Sequence, residues 1–300
     1  MKKIEENRYP HSATLFRFCK EALELRYEGN VKVIDQDVGS ILGYDPADCS
    51  HWKKGKKNIR ALQTLRSIAD HLNVDERLLI DIASGRVGLE EAIFEYRGYG
   101  SFSLQGKMLE SLKKEFFKNP TRWQTEAGLR PFEELFDIDR PSMVRVAESV
   151  LARGNFTEAP IYLPELFELV SGITLVSDET LTTPVAVTVE GEGPTSQTSI
   201  KYKGPEMRPY VRFMVARELY KHLYRTKSDL VSRFANSPDE VIDVQSNLFA
   251  GLILVPASML RKEVERIDGS FDIVMQIADM FWVSKALMNQ RLRDYMEHLN

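Results

Sequence analysis

Cysteine is nearly absent from this 300-residue chain, with Cys19 and Cys49 the only two. Two thiols cannot build a disulfide framework or a Cys-rich zinc module, and a reducing cytoplasm is the expected setting. Histidine is scarce as well: His11, His51, His71, His222 and His298 are the whole supply. No long hydrophobic run occurs. The most apolar stretch, Leu248–Leu260, is interrupted by Pro256 and is shorter than the roughly 20 residues a bilayer span needs, so no membrane association is expected. Met1–Asn7 is charged and has no apolar core of a signal peptide. A strong excess of one charge is also missing, since 40 Lys+Arg against 44 Asp+Glu leave a net charge of −4. That balance excludes a uniformly basic nucleic-acid binder. It leaves room for a local basic patch.

What is present suits a globular chain of about two domains, 43% hydrophobic and 28% charged. Helical periodicity covers 13–26, a short segment at 34–42, a helix starting at Asp45-Pro46, then 59–69 and 75–84. Asp45 is placed to cap and Pro46 to occupy the first helical position. These helices predict a compact all-α domain over 1–86. Residues 87–139 read as a helical connector, with periodicity over Ser103–Phe117 and Phe132–Phe136 and breaks at Asn119-Pro120 and Arg130-Pro131. β-branched runs come only after Pro141: Ile173–Val176, Pro184–Val189 and Thr198–Tyr202 read as strands. Helices are expected at 142–152, 164–170, 206–225, 238–254, 256–267 and 271–297. The fold class is therefore mostly α, with a small α+β second domain over 140–300.

The segment after residue 35 has the requirements of a helix-turn-helix. Gly39 is a small residue in the first helix, Gly43 a permissive residue in the turn, and Cys49 and Trp52 inward anchors on the second helix. Lys53, Lys54, Lys56, Lys57 and Arg60 then place five cations within eight residues, with no acid between them. Such a run suits phosphate contacts that fix register. Residues 35–85, and the Ser50-His51-Trp52-Lys53-Lys54-Gly55-Lys56 block in particular, resemble the Cro/CI (Xre-type) DNA-binding domain. The resemblance implies that the helix from Pro46 enters the major groove, with Ala47, Asp48, Ser50 and His51 facing bases. Asp48 could accept from a cytosine amino group. Asp45 and Asp48 oppose phosphate, however, and over 11–60 nine basic residues meet seven acidic ones. The competing reading is a helical domain with a solvated lysine-rich loop.

A second constellation lies on the helix over 206–225. In the zincin motif His-Glu-x-x-His, two histidines four apart bind zinc and the glutamate acts as general base. Here Arg217, Glu218 and Lys221 occupy those three places. Downstream run Asp243, Asn247, Phe249-Ala250 and Pro256, and then Ala278, Phe281, Val283-Ser284 and Arg291-Leu292. Together these resemble the ImmA/IrrE family of zinc endopeptidase domains, with Asp243 at the third-ligand position and Asn247 four residues later. Arginine does not give up its proton to ligate zinc, and lysine does so only at large cost. The expectation is a pseudo-peptidase with no metal and no cofactor. In it, Arg217 and Lys221 would balance Glu218 and Asp243 as ion pairs. A site shifted by one residue, Glu218–His222–Asp243, is the enzymatic alternative. The Ala278…Ser284 spacing also fits a helix-turn-helix, and is read as structural, as are Phe234, Phe249, Phe271 and Phe281 as core.

The two resemblances together imply a bacterial-type transcription regulator, cytoplasmic, that binds double-stranded DNA as a homodimer. Its C-terminal domain would serve in dimerisation, in sensing a small molecule or peptide, or in partner binding. The alternatives are a repressor-cleaving metallo-endopeptidase and an antitoxin-like interaction protein that never touches DNA.

Overall fold

A computed structural model of the protein describes residues 8–26, 32–98, 106–119, 121, 124–125, 128–129, 138–234, 237–266 and 273–297. The expected helix Phe132–Phe136, the breaks at Pro120 and Arg130-Pro131, and Phe271 lie outside the described residues. The protein is mostly helical with a small three-stranded sheet. It divides into two compact units, Met1–Gly98 and Tyr99–Asn300.

The first unit is all-α among its described residues: α1 Pro10–Arg26, α2 Asp35–Ser40, α3 Pro46–Lys53, α4 Leu62–Leu72, α5 Glu76–Ser84 and α6 Leu89–Arg97. α1 is the hub, packing on the other five. It buries Leu15, Phe16, Phe18, Cys19 and Ala22 against Trp52, Ile68, Leu72, Leu79 and Ile82. α6 falls in the stretch read as connector. It packs on α1 and α5 and buries Ala92, so this core extends past residue 86. α4 starts later than the sequence suggests, at Leu62 rather than Ile59. The cause is a tertiary bond: the Ile59 N–H donates to Ser12 Oγ (2.8 Å) and its side chain fills the core, which holds this segment out of the helix.

In the second unit α7 (Gly106–Lys118) precedes a minimal antiparallel ladder, β1 Gln124–Thr125 with β2 Gly128–Leu129, which no sequence signal announced. α8 (Arg140–Leu151) starts at an Asp139 cap that accepts from the Ser142 N–H and hydroxyl. α9 (Leu163–Glu168) leads into the sheet of β3 Ile173–Ser177, β4 Val185–Glu190 and β5 Gln197–Tyr202. β5 is central, parallel to β3 (Ile173 opposite Thr198) and antiparallel to β4 (Val187 opposite Ile200). Along β5, Thr198 and Ile200 alternate inward and are buried.

α10 (Pro209–Arg225) and α11 (Asp239–Leu254) form the most extensive helix pair, tied by Tyr220 Oη donating to Gln245 Oε1 (2.7 Å). α12 (Ala257–Val264), α13 (Ile273–Phe281) and α14 (Lys285–Glu297) complete the chain. The single helix expected over 271–297 is two. Trp282 takes a φ of +53° between them, and Ser284 Oγ caps α14 by accepting from the Leu287 N–H (3.1 Å). No single helix among the described residues is long and apolar enough to cross a membrane. The long apolar helix α11 spends Leu248, Phe249, Ile253 and Leu254 in the core of its unit.

Candidate functional site

The geometry at α2 and α3 follows from two glycines. A Cβ on Gly39 would stand 2.9 Å from Cys49 Cβ and 3.0 Å from its Sγ, closer than side chains pack, so glycine lets α3 cross against α2. The turn Ile41–Gly43 carries the expected left-handed residue, Gly43 at φ +65°. α3 then starts as its sequence demands, with Asp45 Oδ1 accepting from the Asp48 N–H (2.8 Å) and Pro46 at the first position. It ends in a Schellman motif. Gly55 at φ +64° allows the Lys56 N–H to donate to His51 O (2.8 Å) and the Gly55 N–H to Trp52 O (2.9 Å).

That frame sorts the side chains of α3. Cys49 and Trp52 point into the core. The indole N–H donates to Ser12 O (2.9 Å), and the ring stands edge-on to Phe16 (5.2 Å) and Tyr44 (6.0 Å), so Trp52 is an anchor rather than a base-stacking surface. Ala47 and His51, one turn apart, are exposed. Asp48 and Ser50 are half-buried.

The five cations of the shoulder are not equivalent. Lys53 is exposed but paired with Asp35 (2.6 Å), which also holds Lys20 (3.1 Å); the Lys53 hydrogen bond keeps the Asp35 carboxyl below its ordinary range. Lys57 pairs with Asp48 (2.9 Å), its ammonium 3.8 Å from the centre of the Tyr44 ring. Lys54, Lys56 and Arg60 are exposed. The Asp48–Lys57 pair changes the electrostatics expected from sequence. The acid that seemed to oppose phosphate is paired, and Lys57 competes with any base for the Asp48 carboxylate. Such a solvent-facing pair is worth about 0–1 kcal/mol, which a base contact could replace. Lys53 and Lys54 also sit at the negative end of the helix dipole, a structural reason for lysine at these positions.

In the second unit the structure brings Arg217, Glu218, Lys221 and Asp243 together. Arg217 Nη2 and Lys221 Nζ both reach Asp243 Oδ1, at 3.1 and 2.8 Å. Glu218, its side chain 12% exposed, lies 3.7 Å from Lys221 Nζ and 3.9 Å from Arg225 Nη2. Arg217 Nε donates to Ser246 Oγ (3.3 Å), which itself donates to Asp243 O (2.8 Å). Sequence reading missed Arg225 and Ser246. Arg225 was visible as the third cation on one helical face, at i+8 from Arg217; Ser246 has no signal apart from the fold. Asn247 is half-buried one residue beyond Ser246. The arrangement is a closed network in which both carboxylates are held by cations.

His222 points elsewhere. Its Nε2 lies 3.0 Å from Ser171 O and must donate to that carbonyl, and Nδ1 then accepts from Thr198 Oγ1 at 2.9 Å. Burial pulls its pKa below the ordinary histidine value, consistent with this neutral tautomer. The displaced set Glu218–His222–Asp243 is therefore not assembled. Among the described residues no group of three His, Cys, Asp or Glu is placed to hold a metal ion. The C-terminal signature is core and cap. Ala278, Phe281 and Val283 are buried, and Arg291 donates twice to Val255 O (3.1 and 3.3 Å) just past the end of α11. Phe234 and Phe249 are buried as expected. No protein-family model matches the chain, and no curated protein matches it either.

Proposed function

We propose that the protein is a DNA-binding transcription regulator whose second unit is a non-catalytic, zincin-like module. The observation that carries the first half is the close crossing of α2 and α3 at Gly39 and Cys49. It presents Ala47 and His51 outward beside exposed Lys54, Lys56 and Arg60. This supports the helix-turn-helix reading that the Cro/CI resemblance implies, with α3 as the helix that would enter the major groove. Two-fold pairing of half-sites makes a homodimer the expected form on DNA.

The second half rests on the ion-pair cluster. Arg217 and Lys221 meet Asp243 where the ImmA/IrrE resemblance would put zinc between its ligands. Two cations there replace the charge of the metal, so the fold keeps electrostatic balance without hydrolytic chemistry. Dimerisation, sensing or partner binding remains as its use. One observation favours a second reading, an interaction protein that does not touch DNA: Lys53 and Lys57 have intramolecular partners, and the helix end itself accounts for lysines.

Selection of duplexes from a random pool with the full chain separates the two. Enrichment of a two-fold symmetric motif with half-sites roughly one helical turn apart supports the regulator. Salt-insensitive or absent retention supports the interaction protein. Elemental analysis tests the second unit, where zinc near one per chain would overturn the non-catalytic reading.

A further inference from the structure

Beside the presumed DNA-facing surface, the first unit has a cleft of about 430 Å³. Arg17 and Lys20 of α1 line one side, and Lys53, Lys54 and Lys56 at the end of α3 the other, with Asp35 among them. Among the described lining residues, five cations and the Asp35 carboxylate thus meet in a concavity of small-ligand size. Two helices contribute them, and a concave low-dielectric wall focuses their field. Asp35 holds Lys20 and Lys53 at 3.1 and 2.6 Å, which fixes two ammonium groups in place, each with donors to spare. Arg17 and Lys54 have no ion pair among the described residues, and Arg17 is exposed. The aromatic at the cleft, Phe16, is 1% exposed and packed on Trp52, so it offers no face for stacking. Recognition here falls to charge.

A compact ligand that satisfies this many cations must carry several negative charges in little volume. Linked phosphates do so, and the guanidinium fork of Arg17 fits phosphate geometry. We infer that the cleft binds a small polyanion bearing two or more linked phosphates, and that its occupancy competes with DNA for Lys53, Lys54 and Lys56. The competition rests on the DNA-binding reading above; the binding itself does not.

Two exposed arginines separate the surfaces: Arg17 lines the cleft and is not in the DNA set, and Arg60 is in the DNA set and does not line the cleft. Tripolyphosphate is titrated into the full chain by calorimetry, and a fluorescent duplex is followed by anisotropy, both at about 0.15 M salt. The expected result is saturable 1:1 tripolyphosphate binding, weakened roughly tenfold by Arg17→Ala and unchanged by Arg60→Ala. Asp35→Asn tightens it severalfold by removing the carboxylate that lines the cleft among the described residues. DNA affinity shows the reverse pattern, and tripolyphosphate displaces duplex well beyond chloride at matched ionic strength. ADP tests whether a nucleotide serves as the source of the phosphates; it supports the inference if it binds no tighter than pyrophosphate. Absence of saturable binding, equal binding of citrate, or equal loss in both arginine variants overturns the site. If tripolyphosphate binds and no duplex is retained, the site stands and the DNA reading with its competition falls.

Discussion

The shoulder after α3 and the cluster on α10 and α11 are both rows of cations that a sequence reader would single out, and they resolve in opposite ways. At the shoulder Asp35 pairs with Lys53 and Asp48 with Lys57, and Lys54, Lys56 and Arg60 are exposed. On α10, Arg217, Lys221 and Arg225 face Glu218 and Asp243, and each cation reaches an acid. Helical spacing alone does not separate the two cases. What separates them is how many of the cations meet a carboxylate among the described residues. Asp35 of α2 reaches Lys53 alone of the shoulder, whereas Glu218 and Asp243 between them reach Arg217, Lys221 and Arg225 of α10. α11 brings Asp243 to α10, whereas past the Gly55 cap of α3 the chain carries exposed Lys56 and Arg60. A cation row facing water can bind something else; a row facing acids has already bound.

That contrast is breakable. Replacing Lys54, Lys56 and Arg60 together by alanine is expected to lower duplex affinity by at least roughly a hundredfold and to flatten the salt dependence by about two to three units of slope per protomer. The melting temperature should stay within about a degree, because exposed charges contribute little to stability. Unchanged DNA affinity, or a large loss of stability, would remove the distinction. Gly39→Val probes the frame instead. A branched side chain must enter where Cys49 Cβ already stands at 2.9 Å, at a cost of about 1–3 kcal/mol. Hydrogen exchange of the full chain should then show lost protection in α2 and α3, with the second unit unaffected.

Strands β3 to β5 were legible to within a residue or two because β-branched runs between turns leave few alternatives, as at Ile173–Ser177. The start of α3 was legible because Asp45 and Pro46 act through bonds only three residues long. Both signals are local. The start of α4 was not legible, since it is decided by Ser12, which lies 47 residues away from Ile59. The split at Trp282 falls inside the Ala278…Ser284 helix-turn-helix spacing, yet a single helix was expected there because a non-glycine residue at positive φ gives no compositional warning. At the sites, residue types and helical faces were readable, including the balance of Arg217 and Lys221 against Glu218 and Asp243. Pairing across elements was not. Asp48 looked like an obstacle to phosphate until Lys57 was seen on it.

The closed network should show itself in stability where the open shoulder does not. Asp243→Asn leaves Arg217, 16% exposed, and Lys221 without their shared carboxylate. Asp243 is itself 55% exposed, so solvent screening limits the loss to about 1 kcal/mol. DNA affinity should not change. The matching variant at the shoulder, Asp48→Asn, should cost less still. Chemical denaturation compares them, and equal costs would mean that the cluster is only another set of surface pairs.

The smallest effect separates the two units by pH. Burial depresses the pKa of His222, so in the folded state it binds fewer protons than in the unfolded chain. Stability therefore rises with pH through that interval: it is complete above the ordinary histidine value near 6.5 and declines as pH falls below it. In the first unit, the group lowered by its partners is Asp35, through Lys53 and Lys20. Its contribution is present above the ordinary carboxylate value and is lost only as pH falls below about 4. Between pH 7 and 5, then, α10 and β5, which hold His222 and Thr198, should lose exchange protection after correction for intrinsic rates. α1 to α5 should keep theirs. His222→Gln, which can still donate to Ser171 O, should remove the pH dependence from α10 and β5. Protection lost equally in both units, or an unchanged slope in His222→Gln, would place the acid sensitivity somewhere other than the buried imidazole.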